Sequence, residues 1–277
     1  MDQPLPPGLY IVATPIGNLS DLSPRAADTL RRANLVLAED TRVSGKLLKH
    51  VSAATPMRSY HDHTSETQRA AFVRRLGVEA VALISDAGTP LISDPGYKLV
   101  RAAREAGHAV HAIPGPSAAV AALSVAGLPT DRFLFLGFLP PKATARAAAI
   151  REFSGIRATL VLYESGPRLA ETLGSLAETL GDRDAAVARE LTKLHEECVT
   201  GRLSELGARY SQLPPKGEIV IMVGPPAEQL EASDTELDEA LDEALQRLSP
   251  SRAAAEVAEK LGIKRKRAYA RAQERAP

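Results

Sequence analysis

The sequence predicts an α/β protein made of two sheet-containing domains and a small helical tail. Three observations lead to this prediction. Short apolar runs alternate with helical patterns in the first half of the 277 residues, new strand patterns begin near residue 130, and strand patterns end at Gly224-Pro225-Pro226. With 44% hydrophobic and 25% charged residues, a chain of this length can bury two cores of ordinary domain size.

The first predicted domain covers residues 1–127. The runs LYIVAT, LVLAED, AVALISD and AVHAIPG are short and rich in aliphatic and β-branched side chains, as in buried strands. Between the first two runs a helix is expected to begin, with Ser23 as its cap and Pro24 at its first position. Strands that alternate with helices predict a mostly parallel sheet covered on both faces. Ligands of such sheets bind beyond the carboxyl ends of the strands.

The second predicted domain covers residues 128–226, with the boundary between residues 125 and 131. Its strand candidates are FLFLGFLPPK, ATLVLYES and EIVIMVG, and the pattern RLAETLGSLAETL between the last two predicts a helix. Strands and a helix recur here, so this part also reads as an α/β domain.

An acidic stretch and a basic stretch follow, and their charges are opposite. Residues 227–249 are interpreted as an acidic helical linker, because residues 228–243 contain eight acids and no base. Residues 250–277 contain eight bases and three acids. A helix over residues 251–261, a turn at Gly262-Ile263 and a second helix over 264–274 give the spacing of a helix-turn-helix. Its expected core is Ala255, Val257, Ala258, Leu261, Ile263 and Tyr269.

The second tail helix is strongly basic, and we expect it to contact nucleic-acid phosphate. The residues proposed for this contact are Lys264, Arg265, Lys266, Arg267 and Arg271. A solvated charged hairpin or a dimerisation arm would explain the same residues. The chain has no Trp, and only 4% of its residues are aromatic, so recognition of nucleic acid should depend on the backbone and on shape more than on base stacking.

Hydrophobic runs, the first residues and the cysteine count predict the cellular compartment. No apolar run approaches the ~20 residues needed to span a bilayer, and the first residues lack a secretion signal, which predicts a cytoplasmic protein with no membrane partner. The single cysteine, Cys198, cannot form an internal disulfide and is interpreted as a small buried side chain. Equal numbers of basic and acidic residues, 34 of each, give no hint of a polyanionic partner from the chain as a whole.

Polar loops follow the strands of the first domain. The first strand leads into a loop at residues 13–21, which has neither the Gly-Lys-Ser/Thr of a nucleotide P-loop nor a Gly-x-Gly-x-x-Gly, and alone it could be an ordinary turn. Residues 85–96, SDAGTPLISDPG, form a connection far longer than the usual ~2 to 6 residues. Residues 114–117, Pro-Gly-Pro-Ser, face the same edge. Backbone groups and small side chains suit a bulky neutral or zwitterionic ligand such as an adenosyl amino acid.

Several strings together resemble the tetrapyrrole-methylase superfamily, and within it the branch of ribosomal RNA small-subunit 2′-O-ribose methyltransferase I. These strings are VATPIGNLSDLS, AEDTR, SDAGTPLISDPG, IPGPSA, GLPTDRFLFLGFLPPK, YES, ARELTK and GEIVIMVG. They occur in the family's order and spacing over residues 8–224. The basic tail is similar to the C-terminal helix-turn-helix of that branch, which implies that the phosphate its five basic residues contact belongs to RNA.

The resemblance implies two α/β domains that bind S-adenosylmethionine in the trough between them, and a homodimer. By position, it implies cofactor contacts from Pro15, Gly17, Asp86, Gly88, Thr89, Ile92, Ser117 and Ala118. In the second domain it implies contacts from Gly137, Tyr163, Ala188, Gly217, Glu218 and Ile219. The implied reaction is 2′-O-methylation of a cytidine ribose in the decoding region of 16S rRNA within the assembled 30S subunit. Where relatives commonly have Glu-Ser-Pro-His-Arg, this chain has Glu-Ser-Gly-Pro-Arg at 164–168, so no histidine is available there as a base.

Three pairs of an acid and a base at predicted strand ends are candidates for catalysis or for holding RNA. They are Asp40 with Arg42, next to Glu39; Glu164 with Arg168; and Glu190 with Lys193. A carboxylate could accept the ribose proton and a cation could hold phosphate. Surface ion pairs, which contribute ~0 to 1 kcal/mol, are the alternative interpretation of each pair.

The sequence leaves open a possible metal site and two alternative functions. His61, Asp62, His63 and Glu66 include plausible zinc or manganese ligands, but a polar loop facing the substrate is the favoured interpretation, and no metal is expected. The alternative functions are methylation of a tetrapyrrole carbon or a diphthine-type side chain, and a non-catalytic RNA-binding assembly factor. The RNA-branch segments and tail argue against the first alternative. The intact loops at 86–90 and 114–117 argue against the second.

Overall fold

The computed structural model describes residues 4–212, 215–227 and 233–275. These residues form two compact units, which divide between Pro226 and Ala227. The first unit contains two five-stranded sheets, and the second is helical. No helix in the described ranges is both long and apolar enough to cross a membrane.

The first sheet has the strand order β3-β2-β4-β1-β5, and every pairing in it is parallel. Its strands are β1 (Gly8–Val12), β2 (Leu35–Ala38), β3 (Met57–Ser59), β4 (Ala80–Ile84) and β5 (Val110–Ile113). The parallel sheet predicted from the alternating pattern is confirmed. The strand β3 was not predicted, because it has three residues and two of them are exposed.

Successive side chains of this sheet point to opposite faces, and each face has its own core. Tyr10 and Val12 of β1 pack with α1 (Pro24–Arg32) and α2 (Thr41–His50), whereas Leu9 packs with α3 (Glu66–Arg75) and α4 (Tyr97–Glu105). The predicted start of α1 is confirmed: Ser23 Oγ accepts a hydrogen bond from the Ala26 N–H at 3.1 Å, and Pro24 begins the helix. With both faces covered, ligands can approach only the edges of the sheet.

The second sheet is mixed, with the order β6-β7-β10-β8-β9. Its strands are β6 (Phe133–Phe138), β7 (Thr159–Ser165), β8 (Asp184–Arg189), β9 (Glu197–Arg202) and β10 (Glu218–Val223). Only β6 and β7 pair in parallel among the described strands of this sheet. The strands β8 and β9 were not predicted from residue pattern, because β8 is rich in alanine and β9 is largely polar.

One face of the second sheet carries α6 (Ala143–Glu152), α7 (Leu169–Leu180) and α8 (Leu203–Gln212). Helix α5 (Ala118–Val125) packs on the other face, where its Ala122 and Leu123 contact the core around Val161 and Met222. This helix follows β5 of the first sheet. Although the predicted boundary at residues 127 and 128 places α5 in the first domain, its buried side chains tie the two sheets into one unit.

The second unit contains α9 (Asp234–Leu245), α10 (Pro250–Leu261) and α11 (Arg265–Arg275). The stretch interpreted as a linker supplies α9, whose Leu237 and Leu241 are buried against α10 and α11. The linker therefore forms part of the bundle. Glu228 and Glu231, two of its eight acids, lie outside the described residues.

The predicted helix-turn-helix is present, but its core needs correction. Gly262 ends α10 in the left-handed conformation, with φ of 63°, as the predicted turn requires. Tyr269 was expected in the core and is instead 40% exposed, and Ala255 is only partly buried. Ala253, Ala254, Ala268 and Ala272 occupy the interior because close helix packing against α9 leaves room for small side chains.

Candidate active site

A cavity of about 300 Å³ lies where the carboxyl ends of β1 and β4 meet one end of the second sheet. Its size falls at the lower end of the ~300–1,000 Å³ common for small-molecule sites. It is lined from the first part of the chain by Ile16, Glu39, Asp86, Ala87, Gly88, Thr89, Ile92, Ser93, Asp94, Ser117 and Ala118. From the second sheet and its loops it is lined by Phe138, Tyr163, Ala188, Arg189, Glu190, Leu191, Lys193, Glu218, Ile219 and Val220.

The connection at residues 85–96 is fixed to the sheet edge by backbone hydrogen bonds. Thr14 and Gly88 exchange two of them, with the Thr14 N–H donating to the Gly88 carbonyl at 2.8 Å and the reverse bond at 3.1 Å. The Thr89 hydroxyl donates to the Pro116 carbonyl at 3.0 Å. The long connection therefore forms a fixed wall of the cavity.

Backbone strain is concentrated beside this cavity. Within the described ranges, the residues other than glycine that have positive φ are Ser52, Leu91, Ser93, Glu190 and Thr192. All but Ser52 belong to the two loops that border the cavity. Such conformations cost ~1–3 kcal/mol each and persist where the surrounding contacts impose them, often at functional sites.

The segment from Glu190 to Lys193 is held tightly between two glycines. A Cβ atom on Gly17 would lie 2.7 Å from Lys193 Cγ, and one on Gly217 would lie 2.8 Å from Glu190 Oε1. Lys193 Nζ donates to Glu190 Oε1 at 3.0 Å. Both charged side chains line the cavity. The close approach of Lys193 favours glycine at position 17, and the positive φ of 91° favours glycine at position 217.

The cavity holds carboxylates that lack a cationic partner. In the part of the chain that the structure describes, no ion pair joins Glu39, Asp86, Asp94 or Glu218 to a basic side chain. Burial, reinforced by Glu39, Asp86 and Glu218, raises the pKa of Asp94 to about 6. Burial and the nearby Asp86 also raise the pKa of Glu39. The cavity is thus a region of negative potential, which favours a cationic ligand.

Ten of the fourteen residues predicted to contact the cofactor line this cavity: Asp86, Gly88, Thr89, Ile92, Ser117, Ala118, Tyr163, Ala188, Glu218 and Ile219. The other four, Pro15, Gly17, Gly137 and Gly217, do not line it but lie beside it. Pro15 and Gly17 flank Ile16, Gly217 precedes Glu218, and Gly137 lies against the Ser93 hydroxyl. Asp94 and Phe138 line the cavity but were missed, although each lies within or next to a string that carried the resemblance.

Of the three candidate catalytic pairs, Glu190 with Lys193 lines the cavity. Asp40 and Arg42 lie at its edge. Asp40 caps α2, its backbone N–H donates to Asp86 Oδ1 at 3.1 Å, and hydrogen bonds from Arg42 lower the pKa of its carboxyl to about 2. The Arg42 side chain is 89% exposed. This pair therefore lies outside the cavity, at its edge.

The third pair lies on the wrong face for a role in the cavity. Tyr163 of β7 points into the cavity, so Glu164, the next residue, points to the opposite face of the strand. There the Glu164 carboxylate, 1% exposed, accepts a hydrogen bond from the Thr172 hydroxyl at 2.7 Å and lies 3.2 Å from Arg168. Glu164 and Arg168 thus connect β7 to α7.

The departure from the common Glu-Ser-Pro-His-Arg string also has a local reason. A Cβ atom on Gly166 would lie 1.7 Å from the Pro215 carbonyl oxygen, so this backbone approach admits only glycine. The neighbouring Pro167 belongs to a short 3-10 turn that leads into α7. The altered string is therefore accommodated by packing, away from the cavity.

The remaining polar residues show no site of their own. The rings of His61 and His63 lie 6.2 Å apart, and residues 4–212, 215–227 and 233–275 contain no group of three or more His, Cys, Asp or Glu arranged to hold a metal ion. Cys198 is partly buried on β9, and its burial raises the pKa of the thiol.

The five predicted RNA-binding residues of the tail differ in their surroundings. Arg267 pairs with Asp234 at 2.8 Å and Arg271 with Asp238 at 2.7 Å, both across the α9–α11 contact. Lys264, Arg265 and Lys266 are exposed at the start of α11. The structure therefore places two of the five in contacts within the bundle and three on its surface.

Two family profiles match the chain. The profile of the tetrapyrrole (corrin/porphyrin) methylases matches residues 8–207. The profile described as the RsmI C-terminal HTH domain matches residues 231–276. The first match covers the first sheet and all of the second sheet except β10, and the second match covers the three helices of the helical unit.

Curated relatives match over nearly the whole chain. A protein of Erythrobacter litoralis named ribosomal RNA small subunit methyltransferase I is 53% identical over 272 residues, which are 98% of this chain and 96% of the relative. A protein of the same name from Mesorhizobium japonicum is 46% identical, over 97% of this chain and 92% of the relative.

Solved structures share the fold. Diphthine synthase matches with a TM-score of 0.62 at 16% identity, over 78% of this chain and 89% of that structure. Uroporphyrin-III C-methyltransferase from Thermus thermophilus, complexed with S-adenyl homocysteine, matches with a TM-score of 0.53 at 22% identity, over 77% of this chain and 96% of that structure. At these identities the likeness shows the fold.

Proposed function

This chain belongs to the tetrapyrrole (corrin/porphyrin) methylase family and to its ribosomal RNA small subunit methyltransferase I members, and we propose that it methylates the 2′-oxygen of a cytidine ribose in 16S rRNA. The coarser statement, an S-adenosylmethionine-dependent rRNA methyltransferase, follows from the full-length relatives that carry this name. The nucleotide, the position on the ribose and the 30S context are the parts proposed.

The cavity between the sheets is the observation that carries the proposal, because its residues fit S-adenosylmethionine. Bound there, this cofactor supplies an electrophilic methyl group on a positively charged sulfur. The unpaired Glu39, Asp86, Asp94 and Glu218 provide negative charge for its sulfonium and ammonium groups. Ile16, Ile92 and Ile219 provide apolar surface for an adenine ring, and Gly88 and Ala118 leave room for close approach.

We assign the handling of the ribose hydroxyl to Glu190 and Lys193. A ribose hydroxyl that accepts a methyl group must lose its proton, and the Glu190 carboxylate, which lines the cavity, would accept it. The Lys193 ammonium, 3.0 Å from that carboxylate, stabilises negative charge that develops on the oxygen. The positive φ of Glu190 is imposed by its surroundings, and the same surroundings would keep the pair oriented for this role.

The proposed setting is the decoding region of the assembled 30S subunit, with the enzyme as a cytoplasmic homodimer. Arg42, exposed at the cavity edge, and the basic end of α11 would both meet a polyanionic particle. Support for the RNA substrate comes from the names of the relatives and from the match of residues 231–276 to the helix-turn-helix profile.

The test is methyl transfer from labelled S-adenosylmethionine to purified 30S subunits, naked 16S rRNA and a tetrapyrrole precursor in parallel. The modified nucleotide is then mapped as an alkali-resistant linkage, since a 2′-O-methyl group blocks alkaline cleavage. We expect label at one cytidine of the 30S subunit. Label in the tetrapyrrole alone would overturn the proposal, as would label on an RNA base.

A variant pair tests the role of the cavity. Glu190→Gln removes the proton acceptor and keeps the size of the side chain, so we expect kcat to fall by about 10²- to 10⁴-fold with little change in cofactor affinity. Glu152→Gln is the control, because Glu152 is an exposed glutamate at the end of α6 and does not line the cavity. Equal activity of the two variants would remove Glu190 from the mechanism.

A further inference from the structure

The basic residues of α11 fall into two groups that the sequence alone does not separate. Arg267, Arg271 and Arg275 recur every four residues and pair with Asp234, Asp238 and Asp242, which recur every four residues along α9. We call these residues the ladder. Arg275 also lies 3.1 Å from Asp238, and hydrogen bonds from Arg271 lower the pKa of the Asp238 carboxyl. The ladder holds two helices together through charges that face each other.

The other basic residues lie at the start of α11, next to Arg267 in the chain, and are exposed. Across the described part of the chain, no ion pair or hydrogen bond joins the side chains of Lys264, Arg265 or Lys266 to another residue. Arg265 and Lys266 border a shallow depression together with Ser251 and Tyr269. We call Ser251, Arg265, Lys266 and Tyr269 the tail patch.

Two helix N-termini border the tail patch, since Ser251 is the second residue of α10 and Arg265 the first of α11. Neither helix has an acidic residue in its first turn. Helix α9 in the same unit follows the opposite rule, with Asp234 and Glu236 in its first turn and Ser233 as its cap. Cations at a helix N-terminus oppose the helix dipole and weaken the helix. Packing does not require this arrangement, because these side chains are exposed.

The aromatic residue of the patch is also exposed without a structural reason. Tyr269 is 40% exposed, and its hydroxyl accepts a hydrogen bond from Gln273 at 3.3 Å. The interior of the unit is filled by alanines and leucines and does not use this ring. The Tyr269 ring offers a surface on which a base could stack. The neighbouring cations, the Ser251 hydroxyl and the two helix N-termini together favour an anion.

We propose that the tail patch binds a single-stranded step of RNA, with phosphate between Arg265, Lys266 and the Ser251 hydroxyl, and a base stacked on Tyr269. The inference rests on the proposed function for the identity of the polymer, and it narrows the RNA contact of the tail to a defined surface. An acidic protein segment would satisfy the cations but would leave the exposed ring without a planar partner. RNA supplies both the charge and the planar group.

The experiment measures binding of the full-length chain to a labelled single-stranded RNA of about 12 nucleotides and mixed sequence, by fluorescence anisotropy at several salt concentrations. Lys266→Gln and Arg265→Gln each remove one patch cation. Arg275→Gln is the matched control, since it removes the same charge from the ladder. We expect each patch variant to reduce the slope of log Kd against log salt by about 0.7, and the control to leave it unchanged.

Tyr269 is tested with two substitutions. Tyr269→Ala should weaken binding by about 5- to 100-fold with an unchanged salt slope, and Tyr269→Phe should bind like the natural chain, because stacking needs the ring and not the hydroxyl. Circular dichroism melts confirm that each variant is folded. Equal slopes for Lys266→Gln and Arg275→Gln would overturn the proposal, as would full affinity in Tyr269→Ala.

Methyl transfer to 30S subunits, measured on the same preparations, separates this inference from the proposed function. We expect the patch variants to raise KM for the 30S subunit and to leave kcat unchanged. Patch variants with normal binding and normal KM would overturn the tail patch and leave the proposed function intact. A natural chain that binds the oligonucleotide but methylates no RNA would overturn the proposed function and leave the patch as an RNA-binding surface.

Discussion

The cavity and the helical unit both contain several carboxylates, but among the described residues four in the cavity have no basic partner, whereas three in the helical unit do. In the helical unit Asp234, Asp238 and Asp242 each face an arginine of α11. In the cavity Glu39, Asp86, Asp94 and Glu218 are joined to no basic side chain within the described ranges.

This difference distinguishes carboxylates that stabilise the fold from carboxylates that are available to bind a ligand. A paired acid has its preferred partner in the folded chain, and its pKa falls, as for Asp238 and Asp242. An unpaired acid in a partly buried cavity has its pKa raised, as for Asp94 and Glu39. Such an arrangement lowers stability unless a cation arrives, and strongly perturbed groups of this kind cluster at functional sites.

The largest expected effect concerns Glu164, a paired and buried acid. Glu164→Ala leaves Arg168 without its carboxylate, so we expect the free energy of unfolding to fall by about 3–5 kcal/mol. Chemical denaturation measures this loss. Glu105→Ala, which breaks the exposed pair with Arg101, is the control and should change stability by about 0–1 kcal/mol. Loss of kcat in folded Glu164→Ala protein, with normal stability, would contradict a structural role.

The next effect concerns Asp86, an unpaired acid. Asp86→Lys places a cation where the cofactor's positive charges are proposed to lie, so calorimetry should show a loss of affinity for S-adenosylmethionine of at least about 100-fold. Asp86→Asn keeps the size and can still accept the Asp40 N–H, and should lose about tenfold or less. If Asp86→Lys binds the cofactor normally, the cavity carboxylates do not recognise its charge.

Asp94, an unpaired acid, should make both stability and cofactor affinity depend on pH. Its pKa in the folded chain is about 6, above the ordinary 3.8, so the folded state holds the proton more tightly than the unfolded state. Stability of the free protein should therefore rise as pH falls from above 6 toward 4. Affinity for a cationic cofactor should move the other way and fall below pH 6, by at most about tenfold per pH unit, because the neutral acid attracts it less.

Asp94→Asn is the control for both pH trends, since it cannot titrate. Its stability and its affinity should be flatter between pH 5 and 7, which denaturation and calorimetry across that range would show. If the natural chain and Asp94→Asn have the same pH profiles, Asp94 does not carry the perturbed titration.

The smallest expected effect concerns the ladder. Asp238→Ala removes the carboxylate shared by Arg271 and Arg275, so we expect the helical unit to melt a few degrees lower. Affinity for S-adenosylmethionine should stay unchanged, because the cavity contains no residue of this unit. Salt should reduce the difference between the two chains, as expected for exposed ion pairs. Reduced cofactor affinity in Asp238→Ala would contradict the distinction between paired acids, which stabilise the fold, and unpaired acids, which bind the cofactor.

Much of the fold could be predicted because the strands of the first sheet are buried on both faces. Runs such as AVALI, in which every residue is buried, leave a clear apolar signal. The strands β8 and β9 gave a weaker signal, since alanine and polar residues do not separate strand from helix by themselves. The role of α9 was also hidden, because its acids suggested a solvated linker while its leucines form one side of a small core.

Much of the candidate site was also predictable, because its loops carry long polar strings at strand ends. Ten of fourteen predicted cofactor residues line the cavity. Glu164 and Glu190, however, were equivalent candidates in the sequence. Because side chains alternate along a strand, Tyr163 points into the cavity and Glu164 points toward Thr172 on the other face. Glu190 lines the cavity, and its own backbone has a positive φ.

The α/β class, the parallel first sheet, the turn of the helix-turn-helix and the family could all be predicted from the residues, because these depend on local pattern and on the order of short strings. Which acids are paired, and which cations of α11 remain on the surface, depends instead on how the helices and strands pack. Asp234 and Arg267 lie far apart in the chain, and neither shows its partner in its own neighbourhood. Which charged side chains form ion pairs depends on their distances in the folded protein, because electrostatic energy falls with distance in space and not with separation along the chain.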